Sequence, residues 1–306
     1  MLVGCDFSSS PSRRKPIVLA LGRRDGARVQ LLGLERIETL PALAQWLAQP
    51  QPWVGGFDLP FGLPRELVTT LGWPTDWRAC MQHYRSLTRE QIREAFAGFC
   101  DARPVGGKFA HRATDGPAGS SPSMKWVNPP VAYMLHAGLP LLLEAGVDLP
   151  GLHAGDASRV ALEAYPGLLA RELICHRSYK SDEAAKQTPE RLIARKDLIE
   201  ALEQGRTRLG LRLRFGRHDG RWRGRLVDHD DTDDARVVRG REAGERRHVL
   251  AAVRPEGGID LLRGARAVRC AAAVAAADRR LRAALVHASA AHEPGGGGEG
   301  ACASRQ

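Results

Sequence analysis

The chain lacks several features that would assign it quickly to a class. Its six cysteines stand singly at Cys5, Cys80, Cys100, Cys175, Cys270 and Cys302, with no CxxC pair and no Cys/His ligand spacing. Neither a zinc site nor a disulfide framework is indicated by such a distribution. No apolar run approaches the roughly 20 residues of a membrane span, and "MLVGCDF" opens the chain with no basic n-region. A cytoplasmic location without membrane contact is the expectation. No internal repeat is evident. The final segment, 236–306, is the poorest: it holds no Phe, Trp, Tyr, Lys, Asn, Thr or Met.

The remaining composition is that of an ordinary folded protein. The 306 residues are 43% hydrophobic and 26% charged, enough for one large domain or two small ones. The formal net charge is +10, which points to nucleic acid if it is spread over a surface. It is not spread. Residues 236–306 carry 13 Arg and 7 acids, leaving 32 basic and 28 acidic residues before them, a net of only +4. The chain therefore divides into a folded part, 1–235, and an Ala/Arg/Gly-rich tail, 236–306, ending "HEPGGGGEGACASRQ". Two readings of the tail stand. One is a disordered basic tail with one Ala/Arg-rich helix across "RCAAAVAAADRRLRAALV". The other is out-of-frame translation of a GC-rich gene.

Within 1–235, "MLVGCDFSSSP" reads as a short strand and a polar turn. "KPIVLALGRRDGARVQLLGLERI" reads as two strands joined at Asp25-Gly26. "TLPALAQWLAQ" has helical spacing with Thr39 as N-cap and Pro41 in the first turn. "WVGGFDLP" follows as a strand, giving β-β-β-α-β over the first 64 residues. An insertion of about 65–155 follows, less regular in pattern. It contains a helix capped by Thr88, a long Gly/Pro/Ser loop with Arg103, Lys108, His111, Arg112, Lys125 and Trp126, and a helical run expected to break at Gly138 and Pro140. "RVALEAYP" is a further strand. "TPERLIARKDLIEALEQG" is the clearest helix, capped by Thr188 and ended by Gly205. The acidic cluster Asp228 to Asp234 follows it.

Three strand-like runs, "VGCDF", "GGFDLP" and "ALEAYP", each end in or contain one acid: Asp6, Asp58 and Glu163. A carboxylate on a buried strand loses hydration and needs hydrogen bonds, a cation or a metal. Several acids converging at one end of a sheet favour a hard divalent cation, and Mg²⁺ needs few carboxylates because it keeps several waters. Two such ions can activate water and stabilise the leaving oxygen of a phosphodiester. Plainer roles stand beside this one. Asp6 suits an Asx-turn with the serines, Asp58 suits capping of the Pro-Phe-Gly-Leu-Pro turn, and Glu163 suits an ion pair with Arg159 or Arg171. Trp126 suits a core or lid contact, or stacking on a base.

The element order matches an α/β ribonuclease H-like mixed sheet flanked by helices, with a long insertion after the fourth strand. There the first and fourth strands are neighbours, which would set Asp6 beside Asp58. On "VGCDFSSSP", "FDLPFGLP", "CDARPVGGKFAHRATD", "SSPSMKWVNPP", "EAYPGLLAREL" and "RSYKSD", the chain resembles domain-of-unknown-function family 429, classed with ribonuclease H-like nucleases. The resemblance covers 1–235. It implies a metal cluster of Asp6, Asp58, Glu163 and Asp234, holding Mg²⁺ or Mn²⁺, and a nucleic acid or nucleotide as partner. Asp101 and Arg103 match the family's Cys-Asp-x-Arg motif and Lys180 its Ser-Tyr-Lys motif, which makes these three the candidate substrate-binding residues. The family's terminal helix and Asp-Pro-x-Glu-Gly turn are missing in this frame, although "DDA" stands at Asp233 to Ala235. Codons for "RVVRG" and "RPEGGI", read one base later, permit both missing pieces. Two other functions compete: a nucleotide phosphotransferase of the actin or sugar-kinase kind, which would need a second β-β-β-α-β half, and a non-catalytic protein inactivated by an altered C-terminus.

Overall fold

A computed structural model describes residues 1–179, 181, 188–207 and 211–214, together with the backbone of short strands at 217–218, 221–222 and 226–228. The tail 236–306 and its expected helix lie outside the described residues. Strands β1 (Leu2–Asp6), β2 (Ile17–Asp25) and β3 (Arg28–Ile37), helix α1 (Leu40–Leu47) and strand β4 (Trp53–Phe57) realise the expected β-β-β-α-β order. Hairpin β2–β3 turns at Gly26, whose φ of +55° suits glycine. The Thr39 hydroxyl accepts from Ala42 N at 3.2 Å and starts α1.

The insertion is more regular than its sequence implies. It folds into helices α2 (Arg65–Thr70), α3 (Trp77–Ser86), α4 (Arg89–Asp101), α5 (Asp115–Ala118) and α6 (Val131–Glu144), then the two-residue strand β5 (Val147–Asp148). A capping box opens α4: Gln91 N donates to Thr88 Oγ1 at 3.2 Å, and Thr88 N donates to Gln91 Oε1 at 2.8 Å. Strand β6 (Asp156–Glu163), helices α7 (Pro166–Ile174) and α8 (Pro189–Gln204), and strands β7 (Arg212–Arg214), β8 (Arg217–His218), β9 (Arg221–Trp222) and β10 (Leu226–Asp228) follow. Thr188 occupies the α8 N-cap but its side chain accepts no capping bond, whereas Gly205 ends the helix with φ +70° as expected.

The main sheet runs β10-β3-β2-β1-β4-β6-β5, with β7 also on the free side of β3. β2 is antiparallel to both neighbours, while β1, β4 and β6 are mutually parallel. The result is a mixed sheet flanked by helices. Strand alternation divides its side chains cleanly. Val3, Cys5, Trp53, Phe57 and Ala161 point into a core with α1 and the insertion helices. Leu2, Val18, Ala20 and Val29 point the other way, onto α7 and α8. Among the described residues, no helix is long and apolar enough to cross a membrane.

One local expectation fails in an informative way. Helix α6 does not break at Gly138 or Pro140; it runs through both. A Cβ built on Gly138 would stand 2.9 Å from Phe7 Cζ and 2.9 Å from Leu59 Cδ2. The glycine is thus a point of close approach, and packing carries the helix across a weak spot in its own propensity. Phe7 and Leu59 immediately follow Asp6 and Asp58, so α6 seats the two acid-bearing turns from behind. Helix propensity alone would make Gly138→Ala stabilising by about 1 kcal/mol, whereas overpacking costs about 1–3 kcal/mol. We expect packing to win and the urea midpoint to fall at unchanged m. A raised midpoint would show that α6 is not tightly seated.

Candidate functional site

Asp6 and Asp58 are brought together. β1 and β4 pair in parallel with Leu2 opposite Val54, Gly4 opposite Gly56 and Cys5 opposite Phe57. Asp58 N donates to Cys5 O at 2.9 Å, extending the ladder one residue past the strand end. The next register step places Asp58 opposite Asp6, on neighbouring strands about 4.8 Å apart. Both share the parity of Leu2 and Val54 and so face α7 and α8. Asp6 is 5% exposed and Asp58 is half-buried. The turn after Asp6 is held in place: Ser8 and Ser9 are buried, and Arg89, the first residue of α4, donates to Ser9 O at 2.8 Å and to Ser10 Oγ at 3.2 Å.

Glu163 does not join them. It stands opposite Phe57 in the β4–β6 register and therefore faces the insertion side. Its partner is neither Arg159, which pairs with Asp156 at 2.7 Å, nor Arg171, which donates to Ala118 O. Its partner is Arg112. The guanidinium grips both Glu163 oxygens, Nη1 to Oε2 at 2.8 Å and Nη2 to Oε1 at 2.7 Å, and Phe61 N donates to Oε2 at 2.9 Å. The same guanidinium donates to Asp115 Oδ1 from Nε at 3.0 Å and from Nη2 at 2.9 Å. Asp115 is fully buried and also accepts from Arg112 N at 2.9 Å and Ser120 Oγ at 3.2 Å. Burial alone would lower the Arg112 pKa, but hydrogen bonds and charge from Glu163 and Asp115 outweigh it and hold it above its ordinary value. This cluster ties the insertion loop and the turn after Asp58 to the end of β6. The single sequence signal for it was the three-residue spacing within "RATD".

The remaining expected residues are elsewhere. Asp101 is exposed at the last residue of α4. Arg103 donates to Gly107 O at 2.7 Å, pairs with Glu66 and lies 4.8 Å over the Phe99 ring. That is the far end of α4 from Arg89 and the serine turn, about 18 Å along the helix. Lys180 and Asp234 lie outside the described residues. Trp126 packs against Phe96 and Phe109, with ring centroids at 6.4 and 5.9 Å, as a core contact.

Asp58 opens onto a cleft of about 270 Å³ along α7, lined also by Tyr165, Arg171, Cys175, His176, Arg177 and Tyr179. Burial first, with the Asp58 charge behind it, pushes the Tyr165 phenol above its ordinary pKa, against the opposing pull of Arg171. Among the described residues, no group of three or more His, Cys, Asp and Glu is poised around a metal position. No protein-family model matches the chain, and no curated protein or solved structure matches it.

The Arg112 cluster makes a direct prediction. Arg112→Met strands a buried Asp115 carboxylate and should cost about 3–5 kcal/mol in chemical denaturation. Adding Asp115→Asn and Glu163→Gln should recover most of that loss, because the uncompensated charges go with it. A single-substitution cost under about 1 kcal/mol would mean the cluster is solvated and does not fasten the loop.

Proposed function

We propose that the chain is a metal-dependent phosphodiesterase of the nuclease type, built on a ribonuclease H-like arrangement and related to family 429. The observation that carries this reading is the pair Asp6 and Asp58, one buried and one half-buried, at adjacent ends of parallel strands on one sheet face. The strand order β3-β2-β1-β4-β6, with β2 alone antiparallel among them, supports the same reading.

The residues present fit a hard cation. Two carboxylates at neighbouring strand ends supply the hard oxygen donors such an ion takes, and Mg²⁺ or Mn²⁺ is satisfied by one or two carboxylates with water and phosphate filling the rest. When bound, such an ion supplies a polarised water and a counter-charge for the phosphate. Asp6 and Asp58 would hold it. The Arg112–Glu163 pair acts on the turn after Asp58, fixing Phe61 N and with it the direction in which the Asp58 carboxylate leaves β4. Glu163 in this reading is a positioning residue, and Asp234 remains the expected further ligand. Pro60 and Pro64 limit the backbone of the turn, so the carboxylate is aimed by the main chain.

The test is cleavage of mixed DNA and RNA substrates in Mn²⁺. Asp6→Asn and Asp58→Asn should each lower the rate at least about 100-fold, the scale of several kcal/mol of lost charge stabilisation. Glu163→Gln should act mainly on stability. Cleavage that survives both aspartate substitutions would refute this site, and no cleavage by the unsubstituted chain would refute the activity.

A further inference from the structure

We propose that the cleft beside Asp58 is a nucleoside-phosphate subsite, taking one unstacked nucleotide with its base against Tyr165 and its phosphate toward Arg177 and His176. This rests on the nuclease reading and names the form of substrate that site would accept: a single nucleotide unit, not a duplex. Size is the first argument. At about 270 Å³ the cleft lies just below the usual range of small-molecule sites, about 300 Å³ upward, and cannot admit a double helix.

Chemistry is the second. The lining offers one carboxylate, Asp58, against Arg171, Arg177 and His176. It also offers Tyr165, which is 38% exposed where most large apolar and aromatic side chains of the described residues are buried. Basic groups interleaved with an exposed ring are what a phosphate and a base together require.

Preorganisation is the third. The Tyr165 ring packs directly against Gly167, where a Cβ would stand 2.7 Å from its Cζ. The Arg171 guanidinium lies 5.7 Å from the ring centroid. Arg171 is itself fixed, donating to Ala118 O and filling the space over Gly119, where a Cβ would meet Nη1 at 1.7 Å. The platform therefore costs little ordering entropy when a base lands on it. Arg177 donates from Nη1 to Asp197 at 2.6 Å and from Nε to Ile174 O at 3.4 Å. Those two bonds use two of the five N–H donors of a guanidinium, and its side chain is 51% exposed.

Cys175 makes the test possible, because it lines the cleft and is the exposed cysteine among the described residues, Cys5, Cys80 and Cys100 being buried. The experiment is the rate of maleimide labelling of Cys175 in the full chain, read by peptide mapping so that Cys270 and Cys302 do not interfere. EDTA is present throughout, so no turnover enters. The probes are AMP, a single-stranded DNA oligomer, the same sequence as duplex, and inorganic phosphate.

AMP or the single strand should slow labelling about fivefold at four times its dissociation constant. Protection by AMP would mean a free nucleotide suffices, and protection by the oligomer alone would mean a strand end is needed; both support the subsite. Tyr165→Ala should abolish protection and Tyr165→Phe, which keeps the ring, should retain it. Equal protection by phosphate that survives Tyr165→Ala, stronger protection by duplex than by single strand, or no protection by AMP or the single strand overturns it. Metal-dependent cleavage is read separately, so loss of one conclusion leaves the other measurable.

Discussion

The parallel pairing of β1 with β4 is the constraint on which the rest depends. It brings a residue near the N-terminus beside one more than fifty positions later, and the Asp58 N–H to Cys5 C=O bond carries that pairing past the end of the strand. A slip of one residue would send either Asp6 or Asp58 to the opposite face. The apolar residues prevent it. Val3 and Cys5 on one strand and Trp53 and Phe57 on the other must all enter the same core, and a one-residue slip would expose one strand's set. The hydrophobic effect thus sets the placement of two acids that it would otherwise exclude.

The insertion supplies the second level of control. It is fastened to the strand ends from two directions: Arg112 reaches out of it to Glu163, and Arg171 reaches into it from α7. Ion pairs this enclosed contribute little net stability, because desolvation offsets most of their attraction. Their effect is geometric. A bidentate guanidinium permits one orientation, and the turn between Asp58 and α2 inherits it through Phe61. Together with α6 pressed on Phe7 and Leu59, this gives the two acids rigid neighbours on the insertion side of the sheet. The α7 side stays open as a cleft.

Much of this was legible in the sequence, and the exceptions follow a pattern. The β-β-β-α-β order, the Gly26 turn and the Thr39 and Thr88 caps rest on local periodicity and capping chemistry, which a sequence displays directly, whereas the adjacency of Asp6 and Asp58 was expected only from the ribonuclease H-like strand order. Glu163 shows the limit. Its strand ends in an acid just as β1 does, but which face the acid takes depends on the register between β4 and β6. Glu163 pairs with Phe57, not with Asp58, and no local pattern records that. The Arg112–Glu163 pair spans 51 positions and was invisible for the same reason. Helix α6 went the other way, since Gly138 and Pro140 read as breaks until Phe7 and Leu59 showed what the glycine accommodates.

In the proposed function, Asp6 and Asp58 form a cation site. A crystal of the chain soaked in Mn²⁺ and measured near the manganese absorption edge tests it most directly. An anomalous peak is expected between the two carboxylates, lost in Asp6→Asn. A fully occupied Asp6 engaged only with the serine turn, and no peak at the strand ends, would contradict it.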